Sequence, residues 1–208
     1  MSATRAAGRP CRPWPGPAAS LLAARSLRDF GDGFVAVLLP AYLLELGLSP
    51  LEVGVVATVS LFGSALLTVV AGLLGSRYDP ARVLLACACL MVATGVAFAA
   101  VHDYTLLLVI AFLGTVNPSA GSVSVFVPLE HAALTREVNA LGRTRLFARY
   151  SLVGALAAAS GALAAAVPDA LTPLGLDRLS AIRVMFVVYA ALGLAGALLY
   201  ARVPKRQL

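Results

Sequence analysis

Two acidic residues, Asp29 and Asp32, stand three positions apart at the start of an apolar run and are flanked by Gly31 and Gly33. On a helix this spacing puts both carboxylates on one face. A charge in apolar surroundings is costly, so an ionisable group there is by default a candidate site, able to take up and release protons. The competing reading places both as solvated acids in the headgroup region, favoured by the helix dipole. Arg149, a short way into a later apolar run, is the expected partner of either, since pairing lowers the cost of both charges. Its alternative is to snorkel to the interface.

Uncharged polar residues form a second group of candidates. Asn117-Pro118-Ser119 lies within a long apolar run, where the proline removes a backbone hydrogen bond and kinks a helix. Asn117, Ser119, Thr115 and Ser122 are then placed to line a path for a small polar solute, or to bond between helices and pack them. In an earlier run Ser60, Ser64 and Thr68 recur at steps of four beside Gly63. That face is small and polar, suited to close helix packing or to the wall of a path.

The elements that must position these residues follow from composition. Hydrophobic residues make up 60% of the chain and charged ones 12%, against about 25% charged in a soluble domain. The mean hydropathy is +0.90, so a lipid bilayer is the expected solvent. The net charge of +6 falls between the apolar runs without a basic stripe, which argues against nucleic acid as a partner. Cys11, Cys87 and Cys89 imply no pairing scheme.

Residues 1–27, rich in Pro, Arg and Ala, read as a disordered basic tail, and residues 204–208 as a basic C-terminal tail. Between them, residues 28–203 read as one bundle of six transmembrane helices, over about 30–47, 51–74, 81–101, 104–127, 145–167 and 181–201. Pro50 after Ser49 suits a helix start, and Val167-Pro168-Asp169 ends the fifth run. The runs are continuous, without the period-2 alternation of a β-barrel.

Fourteen of the sixteen Lys and Arg fall on one side of this scheme, and only Arg178 and Arg183 on the other. Cytoplasmic connections keep the positive residues, so both termini are expected in the cytoplasm. A tight external turn at His102-Asp103-Tyr104 and a long internal connection over about 128–144 then give the two halves opposite senses, as in an inverted repeat. Glu45 is expected to face water at the outer end, with Tyr42 and Tyr104 in the interfacial belt. His102 and His131 fall on opposite sides and cannot share a metal, and Ser122 has no histidine base in a later run. No metal, no cofactor and no enzymatic activity are expected.

Between the second and third runs, Gly72-Leu73-Leu74-Gly75-Ser76-Arg77-Tyr78-Asp79-Pro80-Ala81-Arg82 resembles the loop signature of the major facilitator superfamily, G-x-L-a-D-R-x-G-R-K. Gly72, Leu74 and Arg77 match it; Ser76 replaces the Asp, Asp79 the Gly, and Arg82 keeps a positive charge nearby. The order of short and long connections is similar to that of the family, as is the Gly/Ala-rich fifth run. Val127 to Leu134 and Leu152 to Leu156 look like stretches of uncharacterised bacterial members.

The resemblance implies an all-α bundle of the family's 3+3 inverted-repeat plan, corresponding to the N-terminal half of a twelve-helix member. It also implies transport of a small solute by alternating access, with protons as a candidate coupling ion, in a bacterial inner membrane. A second six-helix half, either another copy or a separate chain, would be the partner. The arginine signature and Gly-Pro motif of drug/proton exporters are missing from the fourth and fifth runs. The competing reading is a six-span scaffold or degenerate half-transporter whose polar residues only hold helices together.

Overall fold

The computed structural model of the chain describes residues 16–116, 126–134 and 140–201, and within them every regular element is helical. In chain order these are α1 (Gly16–Glu45), α2 (Pro50–Arg77), α3 (Pro80–Ala100), α4 (Tyr104–Leu113), α5 (Phe126–Leu134), α6 (Ala140–Ala164), α7 (Val167–Leu171) and α8 (Arg178–Ala201). A single 3-10 turn, Thr172–Leu174, joins α7 to α8. Among the described residues four stretches are long and apolar enough to cross a membrane: Pro50–Leu74, Ala81–Ala100, Thr144–Leu171 and Arg178–Ala201. The shorter α4 is also apolar.

Local chemistry sets the helix starts. Pro50 opens α2 behind Ser49, whose hydroxyl accepts from the Glu52 N–H, while Glu52 accepts from the Ser49 N–H at 2.7 Å. This reciprocal capping satisfies two amides that the first turn leaves without partners. Asp79 caps α3 through the Ala81 N–H at 3.1 Å, and Asp103 caps α4 through the Leu106 N–H at 3.0 Å. At the start of α8 the Ser180 N–H donates to Asp177 and holds that carboxyl below its ordinary range. Gly47, with φ at +85°, turns the chain out of α1, a conformation that costs glycine little.

Four boundaries differ from those expected. A disordered tail is expected up to residue 27, yet α1 begins at Gly16, with Leu21 and Ala24 buried. Pro17 falls in the first turn, where no N–H is needed, and the Ala- and Leu-rich stretch behind it propagates a helix well. The fourth span, expected as one helix over 104–127, stops at Leu113 with Gly114 as its C-cap. The connection placed at 128–144 contains most of α5 and the first turn of α6. The fifth helix ends at Ala164, and Pro168 opens α7 rather than a loop.

Helix α1 runs through the middle of the bundle, packed on α6 and α8; α3 packs on α8, α4 on α2, and α5 on α3 and α2. The interior falls into two apolar clusters. One holds Phe34, Leu38, Tyr42, Phe98, Ile182 and Phe186, and the other Leu21, Leu84, Phe126, Leu129 and Leu146. The exterior is apolar as well, with Phe62 67% exposed on α2 and Leu163 80% on α6. That is the opposite of a water-soluble surface and suits a hydrocarbon solvent. Tyr42, expected in the interfacial belt, is instead fully buried. Its hydroxyl donates to the Phe98 carbonyl at 2.8 Å and the Val101 carbonyl at 3.2 Å, where the end of α3 leaves acceptors without intrahelical partners.

Glycines set the closest helix crossings. A Cβ on Gly33 would run into the Ala158 backbone, and one on Gly161 into the Phe30 carbonyl, at the α1–α6 crossing. At the α2–α4 crossing Gly63 meets the Phe112 backbone in the same way, and at the α3–α8 crossing Gly95 faces Ala190 while Gly193 faces Val92. Gly63 and Gly161 are as far apart in sequence as Gly95 and Gly193, and as Val92 and Ala190. One shift of register therefore matches the close-approach residues of α2 and α3 to those of α6 and α8.

Candidate functional site

The buried charges gather where α1, α5, α6 and α8 meet. Successive turns of α1 present Arg25, Arg28, Asp29 and Asp32 to the interior, and the last three are 3% exposed. Arg28 donates through Nη1 to Glu130 at 2.8 Å and through Nη2 to Asp29 at 2.9 Å. Arg25 closes the other side of Asp29, with its Nε 3.1 Å from Oδ2 and its Nη1 3.9 Å from Glu130. Glu130 on α5 is fully buried and accepts from two hydroxyls, those of Tyr150 on α6 and Tyr200 on α8.

The flat faces of the two guanidiniums are covered too. Arg25 lies 3.8 Å over the Tyr150 ring and Arg28 4.5 Å over that of Phe126, which stacks on Tyr200. Such cation–π contacts strengthen when water is excluded. Two cations and two carboxylates balance, so the cluster is neutral as a unit. Neutrality, hydroxyl donors and ring faces together are what make so many buried charges tolerable.

One turn further along α1 the polar line continues without a cation. The Asp32 carboxylate accepts from the Tyr189 hydroxyl of α8 at 3.1 Å, and that hydroxyl meets Thr115 Oγ1 at 3.3 Å. The Thr115 N–H points at Thr94 Oγ1 on α3, 3.4 Å away. Thr115 follows the end of α4 at Gly114, where a Cβ would strike the Thr94 side chain, so the stop in α4 and the small residue there bring these groups together. The ring of Tyr189 sits against Gly31, where any larger residue would push it aside.

The residues singled out from the sequence thus fare differently. Asp29 and Asp32 are both buried rather than solvated at a helix start, but only Asp32 joins Thr115, through Tyr189. Arg149, expected to pair with them, lies on an exposed face of α6, and the guanidiniums at Asp29 are Arg25 and Arg28 of its own helix. Ser60 and Ser64 are buried on α2, the helix against α4, and the Ser60 hydroxyl has no hydrogen-bond partner among the described residues. Asn117, Ser119 and Ser122 lie outside the described residues. In the signature loop Asp79 caps α3, whereas Gly72, Leu74 and Arg82 are exposed; the side chain of Arg77 lies outside the described residues.

Glu130, Tyr150, Tyr189, Tyr200 and the pair Arg25–Arg28 were not anticipated as site residues. The i to i+4 spacing from Arg25 to Asp29 and from Arg28 to Asp32 was a usable signal. A tail that runs to residue 27 leaves Arg25 outside the bundle and hides that spacing. Glu130 gave a weaker signal, as an acid two residues after Pro128, between Leu129 and His131. Among the described residues no group of His, Cys, Asp and Glu is arranged to hold a metal ion.

A helical bundle with an apolar exterior and a buried polar line defines a multi-pass membrane protein. Residues 21–208 match the family model of the Major Facilitator Superfamily, and the chain belongs to that family, one of membrane transporters. It is also similar to an uncharacterized membrane protein of Saccharomyces cerevisiae, YJR124C, at 26% identity over 167 residues. That match covers 79% of this chain and 37% of the yeast protein, so the chain spans well under half the length of this relative.

Proposed function

We propose that the chain forms a six-helix bundle of a secondary transporter that moves a small solute by alternating access, with Asp32 as the proton-coupling carboxylate. The observation that carries this reading is the line from Asp32 through Tyr189 to Thr115. A carboxylate held, among the described residues, by a neutral hydroxyl alone and deep in the bundle can lose or gain a proton with a large effect on its neighbours. Asp29, clamped between two arginines, is better suited to structure than to proton exchange.

In this reading α4 and α5 are two segments of one pass, and the chain between them, with Asn117, Ser119 and Ser122, lines the solute path beside Thr115, Ser60 and Ser64. The exposed Arg82, Arg145 and Arg149 mark the cytoplasmic side, where both termini lie, in the plasma membrane of a bacterium. The far end carries Arg178 paired with Glu45 and Asp169. A second six-helix bundle supplies the opposite wall, in keeping with the greater length of the yeast relative.

Solute-dependent thermal stabilisation of the purified chain in mild detergent tests the reading, since a ligand that binds only the native state raises apparent stability. Sugars, amino acids and small carboxylic acids are offered one class at a time. One class is expected to raise Tm, and Thr115→Val to remove most of that rise while leaving the solute-free Tm nearly unchanged. No shift with any class would favour a scaffold instead.

A further inference from the structure

We infer that Arg28 is a positioning residue that divides its guanidinium between Glu130 and Asp32. With Asp32 neutral it holds Glu130 and so clasps α5 and α8 to α1; with Asp32 ionised it turns to Asp32 and loosens that clasp. The inference rests on the reading of Asp32 as the group that gains and loses a proton.

Arg28 and Asp32 lie one turn apart on the same buried face of α1, the spacing at which such side chains meet. Among the described residues Asp32 forms no ion pair, and its bond to Tyr189 is to a neutral group. Among the described residues the charged groups that act on it are Arg28, Asp29 and Arg25 on α1, with Glu130 beyond Arg28 on α5. These four already balance, so ionising Asp32 adds one uncompensated negative charge to an apolar interior. Arg28 is the nearer cation, one turn away, and in turning to Asp32 it draws Nη1 from Glu130 and Nη2 from Asp29, which Arg25 still holds. The Arg28 Nε is buried without a hydrogen-bond partner, so one donor is unused in the observed arrangement. Arg25 is two turns away from Asp32 and is fixed over the Tyr150 ring. Glu130 is not abandoned when Arg28 turns, because both tyrosine hydroxyls and Arg25 remain beside it.

Hydrogen exchange of the α5 amides, in the full chain reconstituted in lipid nanodiscs, reads the clasp without any need for transport. After correction for intrinsic exchange, α5 is expected to open roughly tenfold more on the alkaline side of neutrality than on the acid side. Asp32→Asn is expected to abolish this response and hold α5 at the protected level. Arg28→Gln should leave α5 open at both extremes, and Arg28→Lys should restore part of the response, which a purely structural role would not do. If Arg28→Gln does not fold, Asp32→Asn and Arg28→Lys carry the test. An α5 response in Asp32→Asn as large as in the unchanged chain, or no response in the unchanged chain, overturns the switch. A response present in a chain that no solute stabilises supports the switch and counts against the transport reading alone.

Discussion

Glu130→Leu is expected to destabilise the bundle by about 3–5 kcal/mol, the usual cost of removing one partner of a buried ion pair. The substitution leaves Arg28 with only Asp29, which Arg25 already shares, and takes the acceptor from two buried tyrosine hydroxyls. One positive charge is then left over in an interior that offers no water to screen it. Replacing both partners, as in Arg28→Met with Glu130→Leu, restores balance between the remaining Arg25 and Asp29. The double variant is therefore expected to recover most of the loss, to within about 2 kcal/mol of the unchanged chain, because apolar pairs often substitute for buried ion pairs at little cost. Unfolding in mild detergent supplies the four corners of the cycle. Independent, small effects of the two substitutions would mean that the cluster is hydrated rather than a closed neutral unit.

The second large effect is expected at Gly161. Valine there must place its Cβ where the Phe30 carbonyl of α1 lies, and a backbone carbonyl in the middle of a packed helix cannot swing away as a flexible side chain can. Overpacking of this kind costs about 1–3 kcal/mol in ordinary cores. Here the whole α1–α6 crossing has to separate, so a loss at or above the top of that range is expected, with α1 carrying the polar line away from α6. Gly54 provides the contrast, since nothing lies within 4 Å of a Cβ built there. Gly54→Ala is expected to raise stability by about 0.5–1 kcal/mol through helix propensity alone. Melting the two variants beside the unchanged chain checks both signs. Equal tolerance of Gly161→Val and Gly54→Ala would contradict the close crossing.

The helical, membrane-spanning character was legible because apolar runs of bilayer length leave few alternatives. Asp32 was legible for a related reason, as an acid embedded in such a run. Glu130 was hidden by its neighbours: with Pro128 before it and His131 and Arg136 after it, the stretch looks like a solvated connection, and only its three-dimensional partners show why a carboxylate can be buried there. Tyr150, Tyr189 and Tyr200 were hidden for the opposite reason, because a tyrosine in an apolar run reads as one more large side chain. Their hydroxyls acquire meaning once a carboxylate is known to face them.

Arg149 illustrates a different limit. Depth in the membrane can be counted along a sequence, but the azimuth of a helix about its own axis depends on its neighbours, and α6 turns Tyr150 inward and Arg149 outward. The break of α4 at Gly114, four residues before the proline expected to kink it, has the same origin. The Thr94 side chain against Gly114 comes from tertiary packing, and a sequence does not show it.

The central claim is that Asp32 couples protons to solute movement, and proton flux in liposomes containing the purified chain tests it most directly. With a pH-sensitive dye trapped inside, addition of the solute class that stabilises the chain is expected to change the internal pH. Asp32→Asn is expected to abolish that change while keeping the solute-dependent rise in Tm. A solute-driven pH change of the same size in Asp32→Asn would contradict the account.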